Sequence, residues 1–246
     1  PTTRYLDVPD GVRLRLLDWG GQGIPVFLLH GGALTAQTWD YVCVGLRAAY
    51  RLFAFDLRGH GGSSWSDNYQ IDRMAQDIAD SARQLGISAV HLVGMSLGGV
   101  VAAEVASQYS SMAKTLTLVD VAPGVVFEGT ATMREFFRRI DSAGSVETVV
   151  EAAMQTNPAG DRERIAYRMA TLLRQRDDGR WVWRRDTRQP TDFQRLLAEV
   201  ALLGEKLSRL DLPMLLVRGA RSKALPSEAA CAFVRSLRDG RLVEIT

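Results

Sequence analysis

Five short apolar runs, each stopped by glycine or a turn residue, govern what this chain can fold into. They are Pro25–His30, Arg51–Leu57, Ala89–Met95, Lys114–Val121 and Leu212–Arg218. Continuous hydrophobicity over so few residues marks strands buried on both faces, the pattern of a parallel sheet. Between the first four lie stretches with helical spacing, Gln37–Ala49, Asp67–Gly86 and Leu97–Tyr109. The second places Ile71, Met74, Ala75, Ile78, Ala82 and Leu85 on one face and stops at Gly86. A hairpin opens the chain, with Arg4–Val8 and Val12–Trp19 joined by Pro9-Asp10-Gly11. A helix over Pro226–Leu237 and a strand over Arg241–Thr246 close it. Strand and helix alternate with short links, so an α/β fold is expected: a mainly parallel sheet with helices on both faces.

The pattern breaks after Pro123. Residues 124–210 are helical in spacing and rich in Arg, Glu and Asp, and only Arg180–Arg184 alternates. The expected organisation is a core of residues 1–123 and 211–246, with a helical cap, 124–210, inserted between the sixth and seventh strands. A hydrophobic fraction of 46% against 24% charged residues excludes bulk disorder. No run of 18 apolar residues and no charged-then-apolar leader appears, so a cytoplasmic protein without a membrane partner is expected. A net charge of +2 gives no reason to expect nucleic acid. Cys43 and Cys231, two thiols far apart, suit neither a disulfide framework nor a thiolate zinc site, and no metal or organic cofactor is expected.

The chemistry concentrates at strand ends. Gly94-Met95-Ser96-Leu97-Gly98-Gly99 fits G-x-S-x-G with a strand before it and a helix after it. Such a turn strains the serine backbone and exposes its hydroxyl. The glycines let strand and helix approach, and the helix start supplies unpaired N–H groups. The Leu97 N–H then points to where an oxyanion would develop, and His30-Gly31-Gly32-Ala33 can add the Gly32 N–H. Asp56–Ser63 (DLRGHGGS) is a polar, glycine-rich loop after the next strand. His30, His60 and His91, the three histidines of the sequence, all read as hydrogen-bonding scaffold residues.

These three motifs, in this order and spacing, resemble the α/β-hydrolase superfamily over essentially the whole chain. The resemblance implies a Ser nucleophile, Ser96, with an acid and a His following in chain order. Two features depart from it. The loop after Leu212–Arg218, where the acid most often stands, carries Lys223 at the expected Asp position, and a cation there would oppose an imidazolium. Some small bacterial esterases of the superfamily instead carry the acid after the preceding strand, in a V-D-[IV]-[AS]-P setting. Asp120 in Val119-Asp120-Val121-Ala122-Pro123 matches that arrangement and is the expected acid, with Glu228 the alternative. The family's catalytic His follows the last strand. That strand here runs into Thr246, so the sequence is expected to stop ahead of its base.

The implied function is hydrolysis of small carboxylic esters through an acyl-enzyme on Ser96. Carbon–carbon bond hydrolysis, cofactor-free peroxidase chemistry and non-catalytic ligand binding are the alternatives. Expected lining residues are Ala33, Trp39, Trp65 and Met95. The apolar stock of the cap comes from Met133, Phe136, Phe137, Met154, Tyr167, Met169, Trp181 and Trp183. Arg134, Arg138, Arg139, Arg174, Arg176, Arg184 and Arg185 read as solvated helix faces. The 246-residue chain alone should hydrolyse p-nitrophenyl acetate poorly. Ordinary turnover, on the order of 10 per second, would contradict the scaffold reading of all three histidines.

Overall fold

The computed structural model describes residues 1–246 except 127–130, 132–134, 138–139, 141 and 189–192, with backbone alone for 193–195. Met133, Arg134, Arg138 and Arg139 therefore lie outside the described residues.

The expected strands form one eight-stranded sheet. In chain order they are β1 (Thr2–Val8), β2 (Val12–Gly20), β3 (Pro25–Leu29), β4 (Arg51–Phe55), β5 (Val90–Met95) and β6 (Ala113–Val119), then β9 (Met214–Gly219) and β10 (Gly240–Ile245). Their spatial order is β1-β2-β4-β3-β5-β6-β9-β10. The hairpin β1–β2 joins antiparallel to β4, and every pairing from β4 to β10 is parallel. Around it lie α1 (Asp40–Leu46), α2 (Ile71–Gln84), α3 (Leu97–Gln108) and α7 (Ser227–Ser236). The predicted apolar face of α2 is buried at Ile71, Met74, Ala75, Ile78 and Ala82. The helix α3 is mostly apolar and almost wholly buried, Glu104 included, which suits a helix packed under others at the centre of the fold.

Between β6 and β9 the chain forms α4 (Val146–Thr156), α5 (Arg162–Leu172), a two-stranded ribbon of β7 (Leu173–Gln175) and β8 (Trp181–Trp183), and α6 (Phe193–Ser208). The alternating piece at 180–184 is β8. Its partner β7 follows α5 without a break and has no spacing of its own to reveal it. This segment divides in two by packing. Phe137, Val149, Val150, Ala153, Met169, Leu172 and Trp183 build a separate core that also takes in Leu34. By contrast, Val200, Leu203 and Leu207 of α6 join the main core with Val100 and Leu116. Lys206 of α6 also reaches Glu104 of α3 at 2.7 Å.

One ion pair is completely enclosed. The Arg58 guanidinium is 0% exposed and grips Asp77 of α2 in a two-pronged bond, Nε to Oδ2 and Nη2 to Oδ1, both 2.7 Å. Its Nη1 donates to the Asn68 carbonyl at 2.7 Å. Removing one partner strands a buried charge, whereas removing both does not. Asp77→Ala should therefore lose about 3–5 kcal/mol in urea unfolding, and Arg58→Met with Asp77→Leu should recover most of it.

Candidate active site

The parallel strands β3, β5 and β6 are neighbours, and their C-terminal ends lie side by side. Leu29 pairs with Gly94, and Met95 pairs with Val119. One or a few residues past those ends stand Ala33, Ser96 and Asp120. Four non-glycine residues among those described have positive φ: Asp10 in the first hairpin, and these three, at 63°, 49° and 53°. Left-handed backbone is costly for residues with a Cβ, and its concentration in one place marks a candidate functional site. Ligands of open α/β sheets bind outside the carboxyl ends of the strands, where this strain sits.

The serine turn is as tight as the spacing implies. A Cβ on Gly94 would overlap the Gly98 carbonyl, and one on Gly98 would overlap the carbonyls of Leu29 and His30. The first turn of α3 therefore rests directly on the backbone of β5 and the end of β3, an approach only glycine permits. Ser96, at φ 49° and ψ −118°, precedes α3 and is exposed, while Leu97 behind it is buried. Leu97 is the first residue of α3, so its N–H has no carbonyl one turn back to bond.

The loop after β3 is clamped by two imidazoles. The Gly31 carbonyl accepts from His30 Nδ1 at 2.7 Å and from the Leu34 N–H at 3.1 Å. In a planar trans peptide the N–H of Gly32 then points the opposite way. On its far side the Ala33 N–H donates to His60 Nε2 at 3.2 Å. His30 Nε2 accepts from the Leu57 N–H at 3.0 Å, and His60 Nδ1 donates to the Arg58 carbonyl at 3.0 Å. Both rings thus hold the proton on Nδ1, with centroids 5.0 Å apart. Burial pushes His30 below its ordinary value, and burial together with the neighbouring His30 pushes His60 down to about 3. His91 lies on β5 against Thr115 Oγ1 at 2.9 Å and the edge of Tyr50. Neither His30 nor His60 has a ring nitrogen to spare.

Asp56 ties the same loops together. Its Oδ1 accepts from the Ala36 N–H at 2.7 Å. Its Oδ2 accepts from Arg15 Nη1 at 2.7 Å and from the Gly62 N–H at 2.8 Å.

Asp120 has two different oxygens. Oδ2 accepts from Ser222 Oγ at 2.8 Å. Oδ1 is buried without a hydrogen-bond partner, an acceptor left unused. The Ser222 hydroxyl itself accepts from the N–H groups of Ala224 (3.3 Å) and Leu225 (3.2 Å), so its own proton is left for the carboxylate. The loop that carries Lys223 in place of an acid therefore reaches Asp120 through its serine. Lys223 and Glu228 are both exposed. Sequence reasoning passed over Ser222, although its place beside Lys223 was the available signal.

The expected lining residues separate. Ala33 and Met95 pack against the second core, which places them under the segment between β6 and β9. Trp39, 6% exposed, is buried with Leu17, Val26, Cys43 and Ala54, because the short 3-10 turn Ala36–Trp39 turns its indole onto the sheet. Met95, next to Ser96, packs against this cluster as well. Trp65, 41% exposed, lies under the Arg188 guanidinium at 5.1 Å. Burial lifts the Cys43 thiol to about 12, so it is inert at neutral pH. Among the described residues no group of three or more His, Cys, Asp or Glu could hold a metal ion, and no helix is long and apolar enough to cross a membrane.

A family model for the alpha/beta hydrolase fold matches residues 24–237. The chain belongs to the α/β-hydrolase fold family. Esterase Rv0045c of Mycobacterium tuberculosis is 32% identical over 217 residues, covering 84% of this chain and 69% of that protein. Its crystal structure superposes with a TM-score of 0.75 at 28% identity, over 100% of this chain and 83% of that one. A pimeloyl-[acyl-carrier protein] methyl ester esterase from Nitrosomonas europaea is 30% identical over 234 residues, covering 91% of this chain and 87% of that enzyme. An E-2-(acetamidomethylene)succinate hydrolase shares the fold at a TM-score of 0.81 and 22% identity, over 99% of this chain and 90% of that one. Other curated relatives are matched over about half their length or less, among them a bifunctional esterase/perhydrolase of Acinetobacter calcoaceticus at 46%.

The depressed His60 has a measurable consequence. In the unfolded chain it takes up a proton near pH 6.5, and in the folded one only near 3. The unfolded state therefore binds more protons between those values, and stability present above pH 6.5 is lost as pH falls toward 3. His60→Gln should flatten the fall of unfolding free energy measured between pH 6 and 4. An unchanged slope would mean that His60 is not held neutral.

Proposed function

We propose that the protein is a serine hydrolase acting on small carboxylic esters through an acyl-enzyme. Ser96 is its nucleophile, Asp120 its triad acid and the N–H groups of Gly32 and Leu97 its oxyanion hole. The observation that carries this reading is the convergence of three strained residues past the ends of β3, β5 and β6: Ala33 beside one oxyanion amide, Ser96 exposed on a glycine-lined turn, and Asp120 with a free buried oxygen. Esterases among its relatives support the ester as substrate.

Each part has a chemical task. The Ser96 hydroxyl attacks the acyl carbonyl, and the two amides stabilise the oxyanion, each worth roughly 3–4 kcal/mol in the transition state. The alcohol leaves, and water releases the acid from the acyl-enzyme. Asp120 Oδ1 is placed to accept a proton-bearing ring nitrogen of the base and so to fix its tautomer, the task the triad acid performs. Ser222 holds the other oxygen. The base is a group other than His30, His60 and His91, since the first two have both nitrogens committed and the third faces Thr115 and Tyr50. The insertion between β6 and β9 acts as a cap over Ala33, Leu34 and Met95, and its second core supplies an apolar roof for the acyl chain.

The deciding test is an ester panel with the gene product as the cell makes it, beside Ser96→Ala and Asp120→Asn. Ser96→Ala should abolish fluorophosphonate labelling and lower kcat by about 10⁴ or more. Asp120→Asn should lower kcat by about 10⁴ with the fold intact. Labelling that survives Ser96→Ala, or no labelling of the unaltered protein, would overturn the serine mechanism.

A further inference from the structure

The loop Asp56–Ser63 touches both the oxyanion loop and the cap, and His60 is where the two contacts meet. On one side its Nε2 accepts the Ala33 N–H. On the other its backbone bridges to Arg185 of the cap in antiparallel fashion. The neighbours extend that bridge: the Gly61 N–H donates to the Arg184 carbonyl, and the Asp186 N–H donates to the Gly59 carbonyl, both at 2.7 Å. Tyr69 fastens the joint. Its ring lies against Gly59, and its hydroxyl accepts from the Ser66 N–H at 2.9 Å and donates to Asp186 Oδ2 at 2.7 Å. Asp186 is in turn paired with Arg188 at 2.7 Å.

We propose that His60 is a positioning residue that transmits the seating of the cap to the oxyanion hole, so that the Gly32 amide is aimed only while segment 184–186 is docked. This rests on the serine-hydrolase reading above. The argument is geometric. Ala33 sits at φ 63°, a conformation its Cβ disfavours, so the loop needs an outside restraint to keep it. The Leu34-to-Gly31 bond closes the turn from within, and the His60 bond is the restraint supplied by loop 56–63. His60 can accept that N–H only with its proton on Nδ1, and the Arg58 carbonyl selects that tautomer. Arg58 is locked in place by Asp77. Shifting His60 therefore requires moving either the buried Arg58 or the cap strand. Of the two, segment 184–186 is the one that can separate with its charge still paired, since Asp186 moves together with Arg188, whereas moving Arg58 breaks its pair with Asp77.

Two measurements on the natural gene product test this. First, imidazole nitrogen NMR should show His60 protonated on Nδ1, with an unprotonated Nε2 that accepts a hydrogen bond. Hydrogen exchange at the Ala33 amide should quicken in Tyr69→Phe, together with Gly61, although Tyr69 bonds neither. Second, in inactivation by a fluorophosphonate, His60→Leu should lower the maximal rate by about 10- to 100-fold with the half-saturating concentration unchanged. His60→Gln, whose side-chain carbonyl can accept the Ala33 N–H, should regain most of the rate. If His60→Leu does not fold, the tautomer and the exchange in Tyr69→Phe still decide. A proton on Nε2, Ala33 exchange indifferent to Tyr69→Phe, or a His60→Leu rate equal to the unaltered protein's would overturn the proposal. Failure of the unaltered protein to be labelled would instead overturn the serine reading and leave the NMR arm to judge the coupling.

Discussion

The seating of α3 on the ends of β3 and β5 is the contact from which the site follows. Where Gly98 meets the carbonyls of Leu29 and His30, no side chain fits, and Gly94 leaves the same room on the other side. With that approach closed, Ser96 has no route into the helix except through a strained, exposed turn. Its neighbour Leu97 must begin the helix with an unbonded N–H. The exposed serine and the unbonded Leu97 N–H beside it are therefore consequences of one backbone packing. A methyl group at either glycine would move both together, and no rotation of a side chain could restore them.

The loop after β3, which carries the Gly32 amide, is built differently, by polar restraint. Gly31 and Ala33 are held from both sides by imidazoles that must stay neutral, and burial keeps them so. Asp56 draws the start of the next helical turn, Arg15 of β2 and Gly62 onto one carboxylate. Two loops from neighbouring strands thereby act as one body. His30 and His60, which look like candidates for proton transfer in a hydrolase, are both spent on architecture.

Much of this was legible in the residues. Buried strands betray themselves as short apolar runs, and the tight, exposed serine turn follows from the glycine spacing around Ser96. Asp120 drew notice because it follows a strand in a recognisable setting while Lys223 stands where an acid was expected, and its carboxylate meets Ser222 of that same loop. What escaped is instructive. The strand β7 is three residues long and continues straight out of α5, so no period of two could emerge. The helix α6 lies inside the expected cap of 124–210, yet Val200, Leu203 and Leu207 pack in the main core, and amphipathicity alone does not name the partner. Ser222 and Asp186 are single polar residues whose value lies in a bond to a distant part of the chain.

The joint between loop 56–63 and segment 184–186 also decides what can be exchanged between members of this fold. By chain position the cap is an insertion, and one would cut it out between β6 and β9. By bonding, it is sewn through Gly59, His60 and Gly61 to a loop that lies more than a hundred residues earlier in the chain. A chimaera that swaps the cap alone would pair a foreign strand with this loop and leave Tyr69 without its Asp186. The exchangeable structural unit is thus discontinuous: the segment between β6 and β9, the loop 56–63 and Tyr69 must travel together.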